Sequence, residues 1–307
     1  MNVRNTGSGA VSAPTRSSSR RRIALQHTGG VGRVGSLALE FVHRGGRTVF
    51  GRTNCRTPWH LLPPIYLDES GSAYTLLVNP SGGLVGGDHL SIDVSIGPLA
   101  HALVSTPSAN RVYRSLSRDA VQEVSIRVAE RGILEWVPEH TIPFAGSRFR
   151  QSIDVTLEAG ATLVLWDAVA SGRIAHGERW RFASLNNEIQ ITMPSHGAVK
   201  EHYALVPAAS AGGIGFMQEW DYVGSFFIVG NAVPPAVWTS LENALGDILD
   251  KHREGAMLGG VSQAAVPGLA VKLVARSAPV MTTVLTAMWA VAREALWDLP
   301  PAILRKY

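Results

Sequence analysis

Residues 153–157 read Ile153-Asp154-Val155-Thr156-Leu157, and Glu158-Ala159-Gly160 follows them. Apolar side chains at every second position, closed by a turn, describe a strand with one buried face. The same period extends outward in both directions. Leu37, Leu39 and Phe41 alternate, as do Ile92, Val94 and Ile96, then Val124, Ile126 and Val128, and later Ile189 and Ile191. Turn-forming clusters separate these runs: Arg44-Gly45-Gly46, Asn79-Pro80-Ser81-Gly82-Gly83, Gly97-Pro98 and Glu130-Arg131-Gly132. Many short strands with frequent turns predict a mainly β body over about residues 31–230. Strands do not alternate with helices, which argues against a doubly wound parallel sheet.

The period changes near the end of the chain. Trp238, Leu241, Leu245, Ile248, Leu249 and His252 follow helical spacing after Pro234-Pro235. Val284, Leu285, Met288, Ala292 and Leu296 do so again before Pro300-Pro301. With Ala270–Ala275 reading as a strand between them, a helix–strand–helix region is expected at about 235–300, packed on the β body. Ala211-Gly212-Gly213-Ile214-Gly215 reads as a mobile loop. Thr57-Pro58-Trp59-His60-Leu61-Leu62-Pro63-Pro64 reads as an ordered surface loop with Trp59 as its aromatic anchor.

The sequence pI of about 9.5 invites a nucleic-acid reading, but the basic charge is local. Residues 1–22 hold five arginines and no acid, so the rest holds 28 − 5 = 23 basic residues against 24 acidic ones. The Arg/Ser-rich stretch 1–30 is therefore expected to be a solvated leader ahead of a single domain, 31–307. No apolar run approaches the roughly 18 residues of a membrane span. One cysteine, Cys55, excludes an internal disulfide and every Cys-x-x-Cys metal site, and suits a reducing cytoplasmic setting.

Several motifs suggest chemistry and lack its context. Gly30-x-Gly32-x-x-Gly35 has the spacing of a dinucleotide fingerprint, but a polar leader precedes it and an alternating strand follows. Gly82-Gly83-Leu84-Val85-Gly86-Gly87-Asp88 is dense in glycine, yet a phosphate loop would end in Gly-Lys-Ser/Thr and open a helix. It reads as a tight structural turn built on Gly82, Gly83, Gly86 and Gly87, which also places Asp88. His176-Gly177-Glu178 is half of a zinc deaminase signature whose other half needs cysteines this chain lacks. Asp167 ends the apolar run Leu163–Trp166, facing a cavity or paired with an arginine such as Arg173. A metal-dependent hydrolase using Asp167, His176 and Glu178 is the enzymatic alternative. Histidines beside acids, Asp88-His89, Glu139-His140 and Glu201-His202, offer ligands suited to Ni²⁺ or Zn²⁺ without the close spacing of a closed site.

Four blocks in order resemble one family: Asn79–Asp88, Thr106–Ser115, Leu134–Pro138 with Ile142–Gly146, and Trp166-Asp167 with Ser171–Glu178. Their order and spacing are similar to the UreD (UreH) urease accessory proteins, most strongly over about residues 33–205. Asn110-Arg111 departs from the Thr-Lys or Ser-Lys usual there. The resemblance implies an elongated, β-helix-like fold of many strands with two helices near the C-terminus, and no turnover chemistry. It implies a scaffold that binds apo-urease and, with UreF and the GTPase UreG, supports nickel insertion. It also implies an internal acidic passage for transient nickel, with no tightly bound cofactor. The corresponding positions here are Asp88, Asp167 and Glu201, with His89 and His202 beside them.

Overall fold

The computed structural model describes residues 32–207, 217, 219–253 and 255–304. The Arg/Ser-rich leader, Gly30 of the glycine motif and the 211–215 stretch lie outside them. The described chain opens with a hairpin, β1 (Val34–Arg44) and β2 (Arg47–Cys55), and a two-residue strand, β3 (His60–Leu61). It continues through β4 (Ala73–Val78), β5 (His89–Ile96), β6 (His101–Ser105), β7 (Asn110–Val112), β8 (Ala120–Val128) and β9 (Ile133–Trp136). Then come β10 (Thr141–Pro143), β11 (Arg148–Leu157), β12 (Thr162–Ala170), β13 (Ser184–Met193), β14 (Gly197–Leu205) and β15 (Tyr222–Gly230). Helix α1 (Pro235–Lys251), β16 (Met257–Gln263), β17 (Gly268–Ala275) and helix α2 (Ala278–Trp297) complete it. Gly35 lies inside β1 rather than at a helix start, so the glycine spacing there carries no dinucleotide site.

Among the described residues the strands form two sheets. The first runs β14-β13-β11-β8-β5-β1-β2; the second runs β16-β17-β15-β12-β9-β6-β4-β3, with β7 and β10 attached to β12. The chain crosses between the sheets at each step, so β4–β5, β6–β8, β9–β11 and β12–β13 are four successive coils of a β-helix-like stack. Neighbouring coils pair parallel, as in β5 with β8 and β8 with β11. This is the expected mainly β, solenoid-like body, with its two helices near the C-terminus.

Strand alternation sorts the side chains into three layers. Ile92, Val124, Ile153 and Ile189 of the first sheet meet Leu134, Leu163, Leu165 and Phe227 of the second in one core. The opposite face of the second sheet, with Val164, Trp166, Phe226 and Ile228, packs under Leu241, Leu245 and Leu249 of α1 and Val284, Met288 and Ala292 of α2. Each fully buried Leu, Ile or Val contributes about 1.5–3 kcal/mol over its exposed form. Pro235 at the first turn of α1 suits the missing N–H of a helix start.

A buried ion cluster fastens α2 to the second sheet. Glu135 and Arg293 are both fully buried. Glu135 Oε1 accepts from His101 Nε2 at 2.7 Å and Arg293 Nη1 at 2.5 Å, while its Oε2 accepts from the Trp289 indole. Arg293 also donates through Nη2 to Asp68 Oδ2 at 2.8 Å and through Nε to the Pro300 carbonyl at 2.9 Å. Every polar atom of the pair is thus occupied in a dry layer, the condition under which a buried ion pair is tolerated. No helix of the described residues is long and apolar enough to cross a membrane.

Candidate functional site

Polar side chains break the buried stripe between the sheets at one level of the stack. In the first sheet Gln122 of β8, Gln151 of β11, Asn187 of β13 and Tyr203 of β14 stand side by side in register. Facing them, Asp167 of β12, Ser225 of β15 and Lys272 of β17 form a second row. Parallel, in-register coils place identical strand positions above one another, so Gln122, Gln151 and Asn187 become a ladder; antiparallel pairing extends it to Tyr203 and joins Asp167 to Ser225 and Lys272.

Asp167 is the centre of this layer. Its Oδ1 accepts from Gln151 Nε2 at 3.0 Å and its Oδ2 from Asn187 Nδ2 at 2.9 Å. Gln151 also donates to Asn187 Oδ1 at 2.9 Å and accepts from Gln122 Nε2 at 3.2 Å, and Asn187 donates to the Tyr203 hydroxyl at 3.1 Å. Burial pushes the Asp167 carboxyl up, opposed by the Gln151 and Asn187 hydrogen bonds and by the charge of Lys272. Tyr203 is pushed well up by burial and then by Asp167. Each Asp167 oxygen keeps a further lone pair beyond the amide it accepts.

Asp167, Gln151 and Gln122 form part of the wall of a cavity of about 110 Å³. Trp59 and Trp136, 8% and 3% exposed, line it as well, and their indole N–H groups find no protein acceptor. A cavity of this size and polarity is large enough to hold water as their partner. Its mouth lies between Gly82-Gly83 and the loop Pro107–Asn110. Gly83 has φ +153, and a Cβ there would sit 2.4 Å from the Arg111 carbonyl, so glycine is required for the turn to close against β7. Trp59, the aromatic of the Pro-rich loop, thus packs inward at the cavity.

Glu201 lies two positions before Tyr203 on the inward face of β14. Its Oε1 accepts from Ser225 Oγ at 2.7 Å, and its Oε2 pairs with Lys272, which also donates to Ser225 Oγ at 2.9 Å. Partial burial pushes Lys272 down to about 8, against the upward pull of Asp167. Below that pH the ammonium is charged in folded and unfolded chains alike. Between about 8 and the ordinary lysine value only the unfolded chain holds the proton, so this group makes folding more favourable as pH rises through that window. A ¹³C-dimethylated sample should show one lysine resonance, absent from Lys272→Met, titrating near 8; a midpoint above 10 would contradict it.

The other expected positions sit elsewhere. Asp88 is buried, but its Oδ1 accepts from the Arg33 backbone N–H at 2.8 Å and its Oδ2 from that of Val85 at 2.9 Å. It ties the glycine turn to the chain entering β1 and is not part of the cavity wall. His89 is on the outward face of β5, 2.9 Å from Glu123. His202 is on the outward face of β14, 3.2 Å from Asn186 Oδ1. The three residues of the enzymatic alternative, Asp167, His176 and Glu178, line three different hollows. Glu178 is held by Arg173, with Nε at 2.9 Å, and the Ala145 N–H. Arg173 and that amide bring Glu178 down to about 2. His176 is exposed on a turn of 3-10 helix, Ile174–His176. Arg173 therefore pairs with Glu178, not Asp167, and among the described residues no three His, Cys, Asp or Glu side chains converge to hold a metal.

Residues that the sequence reading passed over, Gln151, Asn187, Tyr203, Ser225 and Lys272, complete the layer. A signal for two of them was present: Gln151 stands between Phe149 and Ile153, and Asn187 between Leu185 and Ile189, each in line with the buried stripe of its strand.

The chain matches the family described as UreD urease accessory protein over residues 33–306. It is 29% identical over 272 residues to a urease accessory protein UreD of Cupriavidus metallidurans, covering 88% of this chain and 92% of that one. It is 32% identical over 281 residues to a urease accessory protein UreD of Arthrobacter sp. strain FB24, covering 89% and 94%. A urease accessory protein UreD of Delftia acidovorans is 41% identical over 145 residues, 47% of this chain and 48% of that one. With a match over nearly all of the described residues, the chain belongs to the UreD urease accessory protein family.

Proposed function

We propose that this chain acts in the cytoplasm as a non-catalytic urease maturation factor. It binds apo-urease and, with UreF and the GTPase UreG, supports insertion of nickel, which crosses this protein transiently between its two sheets. Family membership supports the role in urease maturation. The observation that carries the passage is Asp167, placed on the wall of a cavity and in register with a polar row that leads to Ser225, Lys272 and Glu201. A conduit needs ligands that hold a cation briefly. Carboxylates spaced along a wet path lower the electrostatic barrier, while few ligands at any one point prevent trapping. Asp167 offers such a carboxylate on the cavity wall, and Glu201, paired with Lys272, stands beyond it in the same polar layer. Asp88 lies in the turn and outside the cavity wall, and the outward-facing His89 and His202 lie off the route.

The test pairs complex formation with activation at limiting nickel. Asp167→Asn and Glu201→Gln should still assemble with apo-urease, UreF and UreG. Each should lower active urease at least several-fold, with the deficit shrinking as nickel is raised. The outward substitution His202→Gln should match wild type. Full activation by the Asp167→Asn/Glu201→Gln chain at limiting nickel would falsify the passage, and failure of the wild-type chain to bind apo-urease would remove the scaffold role.

A further inference from the structure

The block Ser171–Glu178 takes no part in the layer around Asp167, yet it is built with care. Gly172 adopts φ +140, a Cβ there would sit 1.9 Å from the Glu178 carbonyl, and Arg173 is pinned by Glu178 with its guanidinium 4.4 Å above the Phe144 ring. This buckle forms one wall of a surface groove of about 680 Å³, and a neighbouring hollow of about 640 Å³ shares Tyr113, Phe144 and Arg173 with it. Arg276, 5.5 Å above the Trp220 ring, lies along the groove where the chain enters α2. Arg111 lines both the groove and the cavity mouth.

Arg111, Arg114, Arg173 and Arg276 line the two hollows. Two of them are committed, Arg173 to Glu178 and Arg276 to Glu219. Arg111 and Arg114 are exposed, and neither has an acidic partner among the described residues. Guanidinium groups bind carboxylates as a fork, and they sit here beside aromatic faces that accept apolar side chains.

We propose that the groove is a docking site for an acidic segment of a partner protein, its carboxylates taken by Arg111 and Arg114 and its apolar side chains resting on Tyr113 and Phe144. A nucleic acid fits less well. Residues 23–307 hold 23 basic and 24 acidic residues, so the groove is a short cationic patch on a near-neutral body, without the long track a phosphate backbone needs. The proposal goes beyond the maturation role and does not depend on a nickel passage. Because Arg111 belongs to both walls, an occupant of the groove would lie beside the cavity mouth.

The probe is a fluorescein-labelled decapeptide of mixed glutamate, aspartate and leucine, with its glutamine/asparagine counterpart and decauridylate as comparisons, followed by anisotropy with the full chain. Saturable binding of the acidic peptide is expected. It should weaken at least ten-fold for the neutral peptide and for Arg111→Glu/Arg114→Glu, with the variant checked for an unchanged thermal midpoint. Amide exchange should slow in residues 111–113 and 172–177 on binding. The proposal is overturned by no saturable binding of the acidic peptide, by equal binding of the neutral peptide or by a folded variant, or by tighter binding of decauridylate at the same residues.

Discussion

Replacing Arg293 with leucine is expected to lower the folding stability by about 3–5 kcal/mol, because it leaves a fully buried carboxylate without its cation. Glu135 would keep His101 and Trp289 as donors but lose the guanidinium that balances its charge. Asp68 and the Pro300 carbonyl would lose their partner in the same step. The outcome is read as a fall in the urea midpoint at constant slope. Adding Glu135→Leu to Arg293→Leu should recover a large part of the loss, since two apolar groups in that layer need no counter-charge. A single-variant loss under about 1 kcal/mol would show that water reaches Glu135, contrary to its complete burial.

Gly172→Ala should cost more than Gly177→Ala although both are glycines of the same eight-residue block. Both positions have positive φ, +140 and +71. At Gly177 an added Cβ meets nothing within 4 Å, so the cost is the left-handed conformation alone, about 1–2 kcal/mol. At Gly172 the conformation is one that essentially only glycine adopts, worth about 1–3 kcal/mol by itself, and the Cβ overlaps the Glu178 carbonyl in addition. Relief would require residues 172–178 to open, separating Arg173 from Glu178 and from Phe144. Thermal unfolding gives the ranking, and trypsin cleavage after Arg173 reports the opening. Equal losses at the two positions would sink the argument.

The strand alternation made the body legible because one face of every coil is buried, and period two is what burial on one face leaves in a sequence. The helix–strand–helix ending was legible for the same reason with a different period: Leu241, Leu245 and Leu249 all face the second sheet. The pairing of the coils was not legible, since β5, β8 and β11 join across 20 or more residues and nothing local marks which strands become neighbours. That is why no local motif joins Gln151 and Asn187 to Asp167, although in the fold they hold it from two adjacent coils. Asp88 shows the converse. A carboxylate after a glycine cluster has the sequence of a ligand and, in space, the work of a turn, because two unpaired backbone N–H groups lie within its reach. Glu201 was separated from His202 by nothing more than strand parity, one inward and one outward.

Glu135 precedes Arg293 by 158 positions. On the ribosome the sheet strand carrying that acid emerges well before its arginine, so over that interval the strand lacks the guanidinium that covers it. The coils can stack early from the N-terminal side, but the layer beneath α2 has to stay wet until Arg293 has left the exit tunnel. That helix therefore works as a latch on coils made long before it, and chains cut short ahead of Arg293 would be left with an open, proteolysis-prone flank.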